Sequence, residues 1–534
     1  MSTIQIVLLS LFISFMAVET YWWGGAIYIA RPIFGGMLVG LLMGDFQTGL
    51  KAGGMIEMVF LGGMSIGAYA PPNSYIGGMV GTALAIISGD IATGVTLAYP
   101  IGLLVQWLNY VVTNINLIWV EKLEKCAQAA DTKGITVWTY ACIFTRMIIQ
   151  YFLPTVVALL LGSTFIQNIY DKVPAVVTNG MKVAAGILPA IGMASIMNTL
   201  GIKKSWPYFI IGFVMSVYLN MPIMAIALSG LGLAAVIFEV SPNKQGAASL
   251  KMDASKENKN AKLDNHDLVR IFFRSFLSMA GFNYKSYNAP GYLYSIVPGL
   301  QKIYKDNPEK YREALVRNCE FFNSHPYMKN LVIGISLAME EENAIDPDFD
   351  TKMISSTKTA LMGPLAGIGD SVFQGIFRVL FSAIGASMSI EGNPAGPWVY
   401  LIPNILLSWG TRWYFLKGGY KYGTELVKKL RSSNLFERFV QGATIVGMMV
   451  IAAMTASYVS LTLKPSWVYV AATADAAAKA VTLQGLFDAI LPKFLPVALV
   501  FIMYKVMKKV KGGIYWCLGG TFVIAFIGVA IGLF

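Results

Sequence analysis

Charge is what this 534-residue chain has little of. Asp, Glu, Lys and Arg make up 13% of it, against roughly 25% in soluble domains, while 56% is hydrophobic and mean hydropathy is +0.59. Apolar runs so many and so long exclude an ordinary soluble globule and indicate a polytopic membrane protein. Histidine is nearly missing, with only His266 and His325. The four cysteines, Cys126, Cys142, Cys319 and Cys517, are scattered and form no CxxC pair. Neither a disulfide framework nor a zinc site is expected, and no cofactor is implied. No GxxxxGK[ST] loop occurs, which argues against ATP-driven transport by this chain. The net charge of +12 invites a nucleic-acid reading. Its Lys and Arg, however, sit mainly in short loops between apolar runs, the positive-inside pattern, and no basic face with interleaved aromatics is visible. The first run, Ile4 to Val18, lacks a basic leader and an A-x-A site and is read as a retained helix.

What is present divides at residues 241–267, a stretch of Ser, Pro, Asn, Lys, Gln, Asp and Glu that reads as a solvated cytoplasmic linker. Three regions follow: a membrane domain over 1–240, the linker proper over 241–263, and a mixed domain over 264–534. In the first, Tyr21, Trp22 and Trp23 form an interface belt after Glu19. Residues 33–50, 53–70 and 76–94 are Gly-rich and short for spans of about 20 residues, so they read as re-entrant hairpins. Gly44-Asp45 through Gly49 recurs as Gly89-Asp90 through Gly94, a match that duplication or chance among many glycines would each explain. Full spans are expected at 95–120, 137–162, 180–200 and 206–239. The charged patch Glu121–Lys133 and the pair Lys203, Lys204 mark the inside face.

The third region opens with amphipathic and charged helices over 264–327, including Leu268–Met279 and 306–320, and becomes membrane material over 328–534. Spans are expected at 397–416, 440–461, 485–504 and 513–534, with basic inside loops at 417–438 and 505–511. Within it, residues 361–381 are mostly apolar yet carry Asp370, Gln374 and Arg378. At i, i+4 and i+8 these lie near one helix face. Gly363, Pro364, Gly367 and Gly369 precede them and predict a broken backbone there. A broken hydrophobic segment with an acid at the break is the expected form of a solute site in a transporter. The competing reading is a buried Asp370–Arg378 pair that only fixes packing. Glu57 is the matching residue of the first half: a central acid costs on the order of 3 kcal/mol to insert, so it faces a cavity or a partner.

Several stretches resemble the mannose-type (mannose–fructose–sorbose) sugar phosphotransferase permeases. Residues 1–240 resemble component C through Val39-Gly40, Gly44-Asp45, Gly54-Met55-Ile56-Glu57-Met58 and Ile66-Gly67-Ala68. The remainder from about 264 resembles component D. It does so through Arg274-Ser275, Ser295-Ile296-Val297-Pro298, Glu320-Phe321-Phe322-Asn323, Ala338-Met339-Glu340-Glu341 and the decapeptide Leu361 to Asp370. Two departures stand out. The components are usually separate chains, and the family's Pro and Trp after Gly-Asp are here Ser371 and Gln374.

The resemblance implies an all-α polytopic fold of full spans and hairpins working as an elevator, assembled as a homotrimer in the bacterial cytoplasmic membrane. It implies inward movement of a hexose-type or amino sugar, phosphorylated by a phospho-histidine on a cytosolic component B, with no catalytic residue on this chain. A neutral sugar needs acceptors and donors around an apolar wall. The substrate-binding candidates are therefore Glu57, Ser65, Asn73, Asn323, Glu340, Glu341, Asp370 and Gln374. Glu340 and Glu341 end an apolar run and equally suit a surface position. Arg378 is expected to neutralise Asp370, and Asp45, like Asp90, either caps a hairpin or serves the site. His325, before Pro326, contacts sugar or partner, or has a helix-capping or packing role. Two other function classes stand beside this one: an ion-coupled secondary sugar transporter using Asp370 or Glu57, and a non-transporting scaffold or receptor.

Overall fold

The computed structural model describes residues 2–25, 27–61, 72–169, 175–200, 202–240, 262–423, 435–464, 466–470, 479–510 and 513–534. Most of the linker and Ser65 lie outside these ranges. Helices form nearly all of the described chain. One short antiparallel hairpin, Ser466–Val470 with Lys479–Thr482, departs from the all-α expectation. It falls between the expected spans 440–461 and 485–504, where Trp467, Val468, Tyr469 and Val470 supply the aromatic and β-branched side chains that suit a pleated strand.

Three described helical stretches are long and apolar enough to cross a membrane alone: Ile91–Gln128, Thr132–Gly162 and Val372–Ile390. Leu483–Ile490 and Phe494–Lys509, bent by 78°, make a fourth if counted together. The expected single span 206–239 is instead two helices, Ile202–Val217 and Ile223–Val240. Asn220 (φ 49°) turns the chain between them, and Pro222 bars the helix from running on.

The repeated Gly-Asp pair is a corner. Pro32–Met43 ends on Gly44 in the left-handed conformation (φ 79°), and Asp45 accepts from Thr48 N–H at 3.0 Å to start Phe46–Phe60. Gly89 (φ 67°) and Asp90, which accepts from Ala92 N–H at 3.2 Å, repeat this before Ile91–Gln128. Glycine tolerates the left-handed stop, and a short carboxylate satisfies the first free N–H groups of the next helix.

In the second half, the expected break near Gly363 does not occur. Lys352–Gly369 runs unbroken into a π-helical segment, Asp370–Phe377, and on into Arg378–Ile390. The irregularity is one of helix pitch rather than of unwound backbone.

The two halves interlock. Phe46–Phe60 packs on Arg378–Ile390, Leu435–Tyr458 packs on Ile202–Val217 and Ile223–Val240, and Pro189–Leu200 packs on Phe494–Lys509. One apolar cluster accordingly mixes Ile33, Phe34 and Phe60 with Tyr327, Ile384, Tyr400 and Val446. Burial of this shared surface holds the halves together.

Candidate functional site

Polar groups gather at this seam. Glu57 projects from Phe46–Phe60 and is fully buried. Its Oε1 accepts from Arg31 Nη2 at 2.5 Å and Nε at 3.1 Å, and Oε2 from Ile33 N–H at 3.4 Å. Arg31 precedes Pro32–Met43, so the carboxylate meets both a guanidinium and the positive end of a helix. Arg31 Nη1 donates to Ser74 Oγ at 3.0 Å. This hydrogen-bonded pairing is what lets two charges persist in apolar surroundings.

Next to it the chain turns through Tyr28, a non-glycine residue in the left-handed region (φ 58°). Tyr28 N–H donates to Glu19 Oε1 at 2.7 Å, and Ile27 N–H to the same oxygen at 3.2 Å. The second half reaches this turn from three directions. Tyr327 and Tyr28 join hydroxyls, Tyr400 OH donates to Tyr28 O at 3.2 Å, and Arg412 Nη2 donates to Gly24 O at 2.5 Å. Arg412 is fully buried and also donates to Ser275 O at 3.3 Å.

Across the seam lies the π-helical segment. Asp370 begins it and is half-buried; among the described residues its carboxylate has no ion pair or hydrogen bond. The cations that act on it are Lys329, buried with Nζ donating to Ser278 O at 3.2 Å, and Arg378. Arg378 does not close on Asp370 as expected. Its Nη1 donates instead to Gln374 Oε1 at 2.6 Å, the acceptor one turn back, and its Nη2 is buried with no partner among the described residues. Arg378 also lies in the field of Arg31, Tyr28, Tyr75 and Tyr400, which ties the π-segment to the Glu57 cluster.

His325 is buried against this segment. Its ring stacks on Phe373 (5.4 Å between centroids, 20° between planes), and Nδ1 accepts from Tyr327 N–H at 3.2 Å. Nε2 has no partner among the described residues. Gly369 makes this approach possible, since a Cβ there would overlap the His325 ring.

The other sequence candidates lie apart from this cluster or serve local structure. Asn73 caps Ser74–Ser88, accepting from Ile76 N–H at 3.0 Å. Asn323 accepts from Asn288 Nδ2 at 2.7 Å. Glu340 and Glu341 are buried rather than at the surface. Glu340 accepts from Tyr304 OH (2.7 Å), Arg317 Nη2 (2.7 Å) and Asn318 Nδ2 (3.1 Å). Glu341 Oε1 accepts from Tyr420 OH (2.6 Å) and the N–H groups of Lys262 (2.9 Å) and Leu263 (3.2 Å). These two acids brace the start of the second half. Glu342 is exposed.

Arg31, Glu19, Lys329, Arg412 and the three tyrosines at 28, 327 and 400 were not singled out from sequence. The charged four were open to the rule that picked Glu57, since each is an ionisable residue beside apolar segments. The tyrosines carry no such signal. The seam as a whole offers carboxylate, amide, guanidinium and hydroxyl groups beside Phe373, the mixture that recognises a polyhydroxylated solute.

Comparison with known proteins identifies the family. A family model described as "PTS system mannose/fructose/sorbose family IID component" matches residues 262–534, and one described as "PTS system sorbose-specific iic component" matches residues 3–236. The chain is 32% identical over 285 residues to the PTS system mannose-specific EIID component of Escherichia coli K12, covering 53% of this chain and 99% of that protein. It is 33% identical over 273 residues to the fructose permease IID component of Bacillus subtilis strain 168, covering 51% and 97%. To the mannose-specific EIIC component of Escherichia coli K12 it is 30% identical over 237 residues, covering 44% and 88%. The chain belongs to the mannose/fructose/sorbose family of phosphotransferase-system permeases, as a multi-pass, sugar-translocating membrane subunit that joins a IIC-type and a IID-type half and leaves phosphoryl transfer to its IIA and IIB partners.

Proposed function

We propose that this chain carries a hexose-type or amino sugar inward across a bacterial cytoplasmic membrane through the seam between its halves. Asp370 and Gln374 on one side and the Glu57–Arg31 pair on the other serve the sugar hydroxyls. The observation that carries this reading is Asp370: a half-buried acid on a π-helical segment, with no hydrogen bond among the described residues and with Lys329 and Arg378 as its charged neighbours. A phospho-histidine on a cytosolic component B then phosphorylates the sugar as it emerges. Movement is of the elevator kind, one packed body carrying the site past a fixed body within a homotrimer. Sidedness follows the basic ends. Lys203 and Lys204 begin Ile202–Val217, while Lys505, Lys508 and Lys509 end Phe494–Lys509, and both ends face the cytoplasm with the linker.

The test is uptake of labelled mannose, fructose and sorbose by the full chain with its phosphotransfer partners. Loss of a charged hydrogen bond at a sugar hydroxyl costs about 1.5–3 kcal/mol, roughly ten- to a hundredfold in affinity. Asp370→Asn abolishes uptake at limiting sugar while the protein still inserts, and Glu342→Gln stays active. Normal uptake by Asp370→Asn would leave that acid a packing element and move the site elsewhere. Native mass measurement in mild detergent checks the assembly, and a monomer as the sole species overturns it.

A further inference from the structure

A cavity of about 570 Å3 opens at the ends of those helices opposite their basic residues. It lies between the C-terminal ends of Ile202–Val217 and Leu435–Tyr458 and the bend joining Leu483–Ile490 to Phe494–Lys509. Phe494–Lys509 spans about 24 Å at the usual rise per residue, with the cavity at Lys493 and Pro496 and the Lys505, Lys508 and Lys509 side chains at the other end. If the basic ends are inside, the cavity faces out.

Its walls are polar and come from both halves. Asn220 belongs to the first half; Ser457, Ser460, Thr462, Gln484 and Asp488 belong to the second. The groups are held in place. Asp488 Oδ1 accepts from Lys493 N–H at 3.0 Å, Oδ2 from Gln484 Nε2 at 2.9 Å, and Gln484 Oε1 from Leu463 N–H at 3.2 Å. Each carboxylate oxygen keeps capacity for a second donor. Of the five non-glycine residues with positive φ among those described, two line this one cavity: Asn220 at 49° and Lys493 at 62°. Backbone held in that region persists where the surroundings fix it, and such positions cluster at ligand clamps.

The chemistry of the lining selects its occupant. One acid and one ammonium, Asp488 and Lys493, cancel, so the cavity favours a neutral ligand. Hydroxyls and amides both donate and accept, which matches a polyol. The volume lies within the roughly 300–1,000 Å3 of small-molecule sites. The wall also touches the transport machinery: Tyr458 OH, between the lining residues Ser457 and Val459, donates to Ser387 Oγ at 2.7 Å on the helix that Arg378 begins.

We propose that this cavity is an outward vestibule that holds a neutral hexose before it enters the seam, with Asp488 and Gln484 as its fixed hydrogen-bonding groups. The inference rests on the permease reading above for its sidedness, but its test does not require transport. The Ser460→Cys variant of the full chain is labelled in whole cells with a membrane-impermeant maleimide, with and without mannose, fructose or sorbose. At a concentration about twice the dissociation constant, two-thirds occupancy slows labelling about threefold. That protection persists in the Asp370→Asn background and disappears with Asp488→Ala or Gln484→Ala. In transport, the same two substitutions raise the half-saturating sugar concentration and leave the maximal rate unchanged. Three outcomes overturn the vestibule: no protection by any of the three sugars, protection that vanishes with Asp370→Asn, or protection that survives both Asp488→Ala and Gln484→Ala. If the parent chain takes up none of the sugars while protection follows this pattern, the permease substrate is wrong and the vestibule stands. If Ser460→Cys is not reached from outside, the sidedness and the vestibule fail together.

Discussion

Substituting Glu57 asks whether a buried acid serves structure, solute or both. The side chains of Arg31 and Glu57 are 3% and 0% exposed, and Nη2 lies 2.5 Å from Oε1. Glu57→Gln keeps the size and one acceptor but removes the negative charge, leaving a guanidinium whose other hydrogen bond is to Ser74 Oγ. Breaking one member of such a pair destabilises by about 3–5 kcal/mol, because the surviving charge stays buried and uncompensated. The direct coupling within that loss, about 0.5–3 kcal/mol, is isolated by a cycle of Glu57→Gln, Arg31→Met and the double variant. Equilibrium unfolding in mixed detergent reads stability, and sugar uptake is measured in parallel. If Glu57 only neutralises Arg31, the double variant regains both. If Glu57 also meets the sugar, stability returns and uptake does not. Should Glu57→Gln alone hold its stability within about 0.5 kcal/mol, the range of an ordinary surface change, the energetic account of the seam is refuted.

Further substitutions probe other parts of the fold. Gly369→Ala places a methyl against the His325 ring, which should cost about 1–3 kcal/mol by overpacking and sharply reduce uptake; His325→Ala added to it restores part of the loss in an uptake assay. Glu340→Gln leaves Arg317, whose side chain is 11% exposed, without its carboxylate, and should destabilise by about 3–5 kcal/mol. Glu341→Gln weakens the hold on the Lys262 and Leu263 amides, which shows as faster protease cleavage just before Asp264. At the surface, Asp264 caps Asn265–Arg274, and hydrogen bonds from Asp267 N–H and the Lys302 ammonium draw its carboxyl down to about 2. A depressed acid contributes above its ordinary value of 3.8 and loses its effect as pH falls toward 2. Amide protection at the start of that helix, corrected for the intrinsic pH dependence of exchange, should therefore fall over this window and not between neutral pH and 5. Cysteines placed in 241–267, 417–438 and 505–511 should resist impermeant label from outside.

The class of the protein was legible because membrane insertion writes itself into composition. Long apolar runs and basic loops survive any detail of packing, and Glu57 and Asp370 stood out because charge inside such runs is rare. The Gly-Asp corners were only half readable: a left-handed stop and an N-cap are local requirements, but the pattern alone left Asp45 and Asp90 open between capping and serving the site. What the sequence did not disclose was long-range. Arg31 is 26 residues from Glu57, and Tyr28 meets Tyr327 and Tyr400 across the whole chain. No local periodicity encodes such pairings. Glu340 and Glu341 look alike in sequence to solvated ends of an apolar run, and only the partners brought in by Tyr304, Arg317 and Tyr420 make them interior groups. The run 206–239 reads as one span because hydropathy does not register a turn between two helices of equal apolarity.

The π-helical segment from Asp370 to Phe377 bears on how this chain tolerates change in length. A π-turn carries about one residue more than an α-turn and is commonly inserted into a helix as a single unit. Deleting one residue between 371 and 376 would let the segment relax to an α-helix without breaking it. Because the π-turn holds its extra residue within one turn, the helices on either side would keep nearly the same phase. Hydropathy and helix content would scarcely alter, and Gly369 would keep its place against His325 and Arg378 its place near Arg31 and Tyr28, while the wide turn that Asp370 begins would be lost. A one-residue gap in this segment therefore removes the wide turn at Asp370 and leaves the packing of the flanking helices in place, a distinction that percentage identity does not register.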